Sequence, residues 1–181
     1  MKRLLLGAGL LYLARKAVLP EVRRFQLASN SFTPGGRIAE AQVFNDWGCT
    51  GGNRSPHLRW SDPPAGTKSL AVTCFDPDAP TGSGWWHWVA FNLPADLREL
   101  PENASASGLP GGAVQSRTDY NRPGYNGPCP PEGDPPHRYV FTVWALADRL
   151  PLDVDATGAM VGFNLGQQAI GKAVTTGRYG R

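Results

Sequence analysis

Glycine and proline interrupt this chain repeatedly, and they limit how far any helix or strand can run. The 181 residues include 22 glycines and 17 prolines, while only 18% are charged. Such a composition is typical of short strands joined by many turns. Apolar residues recur at helical spacing only late, between Ala159 and Ile170, where Asp155 or Thr157 would cap the helix. We therefore predict a mainly β protein, a two-sheet antiparallel β-sandwich with a peripheral C-terminal helix.

The first 24 residues differ in composition from the rest. Lys2 and Arg3 precede an apolar run from Leu4 to Ala14, and Arg15 and Lys16 follow it. This run is shorter than the roughly 20 residues that span a bilayer. Three interpretations stay open: a membrane-associating helix, an extension that packs on the protein or frays, and a cleaved export signal. We predict an extension over residues 1–24 and one domain over residues 25–181.

Two rigid loops each lead into a strand that carries a histidine. The first loop follows an apolar strand, Ser69–Phe75, and alternates Asp76 and Asp78 with Pro77 and Pro80. Because a strand has a side-chain period of two, the next strand is expected to place three residues on one face, namely His87, Val89 and Phe91. A histidine on such a face is expected to be buried.

The second loop, from Gly124 to Pro136, is again rich in glycine and proline. The strand that follows it should place His137, Tyr139, Phe141 and Val143 on one face and Arg138 on the other. The simplest arrangement brings the two loops together at one end of a sheet. A carboxylate beside an imidazole favours the imidazolium form, so a charged histidine beside Asp76 could hold an anion.

These stretches carry a family resemblance. DPDAP followed by WWHW, and GPCPP followed by HRYVFTVWAL, resemble the two signature regions of the phosphatidylethanolamine-binding protein family, and in particular its bacterial Raf-kinase-inhibitor-like branch. The resemblance covers roughly Phe25 to Gly177 and implies the same kind of sandwich. The family's anion pocket would have ligand-binding residues at Asp76, His87, Gly127, His137 and Tyr139. Its walls would be Pro77, Asp78, Pro80, Trp86, Pro128 and Pro131.

The resemblance implies a non-enzymatic protein that binds phosphate or a phosphorylated head group. It also implies regulation of a protein partner such as a kinase or a protease, and leaves a homodimer open. Residues 1–24 would allow peripheral membrane contact, so we expect a cytoplasmic, membrane-associated protein or, alternatively, one exported to the periplasm.

The alternative function is a hydrolase that uses the Asp and His residues in acid–base or metal-ligand roles. No H-x-x-x-H, C-x-x-C or G-x-S-x-G pattern supports it, so we predict no catalytic residues, no metal site and no cofactor. The net charge of +3 is mild, and no basic cluster is interleaved with aromatic residues, which argues against nucleic acid.

Three cysteines, Cys49, Cys74 and Cys129, show no paired spacing. No disulfide framework is predicted from them. Their number slightly favours a reducing compartment.

Overall fold

The structure, a computed structural model, describes residues 22–181. The interpretations made for the N-terminal extension therefore lie almost entirely outside the described residues. Within residues 22–181, no helix has the length and apolar character needed to cross a membrane.

In the described part of the chain, nine strands form two sheets. The larger sheet has the strand order β1-β9-β8-β4-β5-β7, and the smaller has the order β2-β3-β6. All pairs are antiparallel except β1 with β9, which is parallel. The strands are β1 (Arg23–Arg24), β2 (Leu27–Ala28), β3 (Leu58–Trp60), β4 (Ser69–Asp76), β5 (Trp85–Pro94), β6 (Glu99–Leu100), β7 (Val114–Gln115), β8 (His137–Leu146) and β9 (Ala169–Tyr179).

Two α-helices, α1 (Ala104–Ser107) and α2 (Gly158–Gln168), and a short 3-10 helix, Glu40–Gln42, complete the fold of residues 22–181. One apolar cluster fills the space between the two sheets, and it takes in Leu58 from β3, Val72 from β4 and Phe141 from β8. A second cluster lies on the other face of the large sheet, where Val161 and Leu165 of α2 pack. The mainly β, two-sheet architecture agrees with the prediction.

The late helix differs from its prediction in extent and in buried face. The Thr157 side chain caps it by accepting a hydrogen bond from the Met160 amide at 3.2 Å, as expected. Phe163, however, points to solvent with 70% exposure. The helix ends at Gln168, and the chain continues as β9, which pairs with β8 over its whole length and was not predicted.

A β-bulge changes the face on which His87 lies. Phe75 pairs with Trp86 and Cys74 with Trp88, so His87 has no partner on β4. His87 is the extra residue of this bulge, and its side chain lies on the same face as that of Trp88, between the sheets. Val89 packs on the opposite face, toward α2. The expectation that His87 shares a face with Val89 and Phe91 is therefore wrong, although its burial is as expected.

Candidate functional site

A cavity of about 310 Å³ opens at one end of the strands of the large sheet. Because β4 is antiparallel to both of its neighbours, the last residues of β4 and the first residues of β5 and β8 meet at this end. These strand ends bring together the polar residues Asp76, His87, His137 and Tyr139, all of which line the cavity.

Asp76 and His137 form a direct pair inside the cavity. The Nδ1 atom of His137 lies 2.7 Å from Asp76 Oδ2 and donates to it, while Asp76 Oδ1 accepts from the Asp78 amide at 2.8 Å. The other ring nitrogen of His137 lies 3.5 Å from the carboxylate of Asp134. Asp76 and His137 are only 2% and 4% exposed, so their pairing offsets the cost of burying a carboxylate.

His87 is held in one tautomer by the loop beside it. Its Nδ1 lies 2.7 Å from the carbonyl oxygen of Asn126 and 3.2 Å from that of Gly127. A carbonyl can only accept, so Nδ1 carries a proton. Burial lowers the pKa of His87 to about 4, which outweighs the opposing effect of these carbonyls and of Asp76. Burial therefore favours the neutral form of His87.

Two tyrosines pack against the His87 ring. The centroid of His87 lies 5.0 Å from that of Tyr139 and 5.4 Å from that of Tyr120, both edge to face. Burial raises the pKa of both phenols, so both hydroxyls stay protonated. The Tyr120 hydroxyl donates to Gly127 O at 3.1 Å, whereas the buried Tyr139 hydroxyl makes no hydrogen bond to any of residues 22–181.

The second loop is fixed against the body of the protein. A side chain at Gly127 would collide with the backbone of residues 42–44, so only glycine allows this approach. The Gly127 amide donates to Asn53 Oδ1 at 2.8 Å, and Pro128 O accepts from the Phe44 amide at 3.0 Å. The loop is thus a rigid wall whose carbonyls orient His87.

A disulfide joins Cys129 of this loop to Cys49, with a Cα–Cα distance of 6.0 Å. The sequence showed no paired spacing because the two cysteines are 80 residues apart. No disulfide could be read from the sequence, and the structure forms one between these two residues. Cys74 is free and buried.

Several lining residues were missed by the sequence analysis. Trp47, Trp85 and Tyr120 form an aromatic rim, and Trp47 is 57% exposed. Arg181 also lines the cavity, and its guanidinium donates to Pro130 O at 2.8 Å and Gly48 O at 3.3 Å. Arg181 lies far along the chain from either signature, so no local pattern points to it.

The predicted wall residues divide into two groups. Pro80 and Pro131 line the cavity, whereas Pro77 and Pro128 are not in its lining. Gly127, which was predicted to bind the ligand, is not in the lining either. Trp86 lies on the opposite face of the sheet, against α2.

Asp78 also lies outside the cavity lining. It binds the Arg138 side chain through two hydrogen bonds of 2.8 and 2.7 Å. This ion pair lowers the pKa of Asp78 to about 2. It agrees with the predicted placement of Arg138 on the face opposite His137.

The third histidine, His57, takes no part in the cavity. Its Nδ1 accepts from the Asn30 amide at 3.0 Å, and its Nε2 lies 3.0 Å from Glu99. Within the described part of the chain, no group of three or more His, Cys, Asp and Glu side chains is placed to hold a metal ion.

Curated bacterial proteins are similar to this chain along most of its length. YbcL of Escherichia coli K12 is 45% identical over 99% of this chain and 98% of its own. YbhB of the same organism is 50% identical over 85% of this chain and 99% of its own.

Two solved structures superpose on this chain over most of its length. The crystal structure of E. coli YbcL, described as a new member of the mammalian PEBP family, superposes with a TM-score of 0.85 at 48% identity, covering 87% of this chain and 98% of that one. A phosphatidylethanolamine-binding protein homologue of Chlamydia trachomatis superposes with a TM-score of 0.75 at 31% identity, covering 88% and 99%. The sequence profile named phosphatidylethanolamine-binding protein matches residues 28–180, and the chain belongs to that family.

Proposed function

We propose that the protein binds a small oxyanion, such as phosphate or a phosphorylated head group, in this cavity. The observation that carries the proposal is the convergence of Asp76, His87 and His137 from three strands at a single cavity. All three side chains are at most 4% exposed. Polar groups are rarely buried together beside a cavity unless they serve a ligand.

The charges at the cavity support an anion as the ligand. Arg181 is the only lysine or arginine among the described lining residues. Its guanidinium has five donors, and the two hydrogen bonds to Pro130 and Gly48 leave donors for a ligand. His137 donates a hydrogen bond to Asp76 and so occupies one lone pair of its carboxylate. The aromatic rim would contact an apolar group attached to the anion.

We infer binding without catalysis, because the hydroxyl groups and the cysteine sulfur among the described lining residues are not prepared to act as nucleophiles. The Thr81 hydroxyl donates to Gly84 O at 2.6 Å, and the sulfur of Cys129 is in the disulfide. The tyrosine hydroxyls have raised pKa values. These observations favour the binding protein over the hydrolase.

Regulation of a protein partner, such as a kinase or a protease, would follow from this binding, and we propose it as a consequence of the same site. The Cys49–Cys129 disulfide supports the exported location over the cytoplasmic one, because disulfides persist in oxidising compartments.

Calorimetric titration of the full chain with inorganic phosphate and with phenyl phosphate tests the proposal. We expect both to bind, and phenyl phosphate to bind more tightly because of the aromatic rim. Arg181→Gln should weaken binding by at least about tenfold, since a charge-assisted hydrogen bond contributes about 1.5–3 kcal/mol. The exposed Arg178, which does not line this cavity, provides the control Arg178→Gln. Absence of heat or of histidine NMR shifts at millimolar ligand would refute the proposal.

A further inference from the structure

His87 presents an acceptor, not a donor, to the cavity. Its Nδ1 proton is committed to the carbonyl oxygens of Asn126 and Gly127. In a neutral imidazole the other nitrogen, Nε2, then has a lone pair and no proton. Nε2 makes no hydrogen bond to any of residues 22–181, and it lies 4.0 Å from Asp76 Oδ2.

Asp76 is an acceptor as well. Both of its oxygens accept hydrogen bonds, from the Asp78 amide and from His137 Nδ1, and a carboxylate oxygen has a further lone pair to offer. Two acceptors thus lie side by side in a buried part of the cavity. An oxyanion placed against them with only lone pairs would face like charge and an unpaired acceptor.

We propose that His87 Nε2 and Asp76 Oδ2 select an oxyanion that still carries a proton, such as the monoanion of a phosphate monoester, over one that carries none, such as a sulfate ester. The inference rests on the proposed function and specifies its ligand. The P–OH group donates to one of the two acceptors, while the charged oxygens lie toward Arg181. No proton leaves the ligand in this arrangement.

The pH dependence follows from the groups that face His87. These are Asp76 from β4, His137 and Tyr139 from β8, Tyr120 from the loop beside them, and Arg181 across the cavity. The pKa of His87 lies near 4, and the phenols have raised pKa values, so these three groups do not titrate around neutral pH. Both probes are compared at the same pH, so the ligand-free cavity is in the same protonation state for both.

Phenyl phosphate and phenyl sulfate form the matched pair of probes. A phosphate monoester loses its last proton near pH 6, so at about pH 5.5 both probes are mostly monoanions and differ in one hydroxyl group. We expect phenyl phosphate to bind at least about tenfold more tightly there, as measured by calorimetry on the full chain. The ratio of the two affinities should fall steadily to about pH 8.5, where phenyl phosphate is a dianion.

Three variants test whether the two acceptors cause the preference for phenyl phosphate over phenyl sulfate. His87→Gln replaces the fixed acceptor by an amide that can also donate, and it should lower the affinity ratio at the lower pH, while the Asp76 acceptor remains. His57→Gln makes the same change at a histidine outside the cavity and should keep the ratio. If His87→Gln does not fold, Asp76→Asn tests the second acceptor in the same way.

A measurement on the unaltered protein completes the test. Histidine ¹⁵N NMR should show the Nδ1–H tautomer of His87 at both pH values. An Nε2–H tautomer, or equal affinity for both probes with the same pH dependence, would overturn the inference and leave the anion site standing. Failure of both probes to bind would instead remove the proposed function itself.

Discussion

Tyr139 has a fully buried side chain whose hydroxyl is unpaired within residues 22–181. Burying an unpaired hydroxyl costs about 1–3 kcal/mol, so Tyr139→Phe should leave the free energy of unfolding unchanged or raise it by up to about 1 kcal/mol. If the hydroxyl serves an anion, the same variant should weaken phosphate binding about tenfold, or about 1.4 kcal/mol. Denaturant unfolding and calorimetry measure the two effects.

Tyr125 provides the control for this prediction. It is also buried, but its hydroxyl donates to Gln42 O at 3.0 Å. Tyr125→Phe should therefore destabilise the protein by about 1 kcal/mol and leave binding unchanged. A Tyr139→Phe variant that is less stable and binds phosphate normally would show that the hydroxyl has only a structural role.

The Asp78–Arg138 pair gives the protein a pH-dependent contribution to stability. Its hydrogen bonds lower the pKa of Asp78 to about 2, below the unfolded value of about 3.9. Because the pKa of Asp78 is lower in the folded protein than in the unfolded chain, the pair contributes its full stabilisation above about pH 4. This stabilisation is lost as the pH falls toward about 2.

Asp78→Asn should therefore reduce the fall in melting temperature over that pH range. Both side chains are partly exposed, so the effect should be modest and should shrink in high salt. Asp62→Asn, at the highly exposed partner of Arg98, is the control. An unchanged slope in Asp78→Asn would contradict the assignment.

At the scale of elements, α2 depends on a glycine where it meets the sheet. A side chain at Gly158 would collide with the ring of Trp86, whereas Gly166 has open space around its Cβ position. Gly158→Ala should destabilise the protein by about 1–3 kcal/mol through overpacking. Gly166→Ala, in the same helix, should stabilise it by about 0.5–1 kcal/mol because alanine favours the helix. Thermal melts of the two variants compare them directly, and equal effects would refute the contact.

Alternation in the sequence was sufficient for only some strands of this fold. Strict alternation placed the side chains of β8 correctly, from His137 to Val143. The face of His87 could not be read in this way, because the bulge adds a residue that alternation does not count. β9 was missed because its buried positions are mostly small, such as Gly171, Ala173 and Gly177, and carry little hydrophobic signal.

The candidate site was predictable only where a strand and its loop are adjacent in sequence. Asp76, His87, His137 and Tyr139 have such neighbours, and the structure brings them together. Partners that are distant along the chain leave no local pattern. Trp47 and Arg181 belong to that class, as does the pairing of Cys49 with Cys129.

At the scale of the whole molecule, the disulfide links Cys129, which lines the cavity, to Cys49, which lies 80 residues earlier in the chain. The double variant Cys49→Ser/Cys129→Ser should lose about 2–5 kcal/mol of stability. Reductant should lower the melting temperature of the unaltered protein and leave that of the double variant unchanged. Alkylation of the unfolded, unreduced chain should label Cys74 alone. Labelling of all three cysteines in oxidising buffer would contradict the disulfide.

The guanidinium of Arg181 reaches carbonyl oxygens that lie 51 and 133 residues earlier in the chain. Contacts over such separations require large loops to close, so they tend to form late in folding. A ligand held by Arg181 would then stabilise the native state and not the folding transition state. Stopped-flow measurements should show that saturating phosphate slows unfolding while the refolding rate stays the same, so the ligand would extend the lifetime of the folded molecule without guiding its formation.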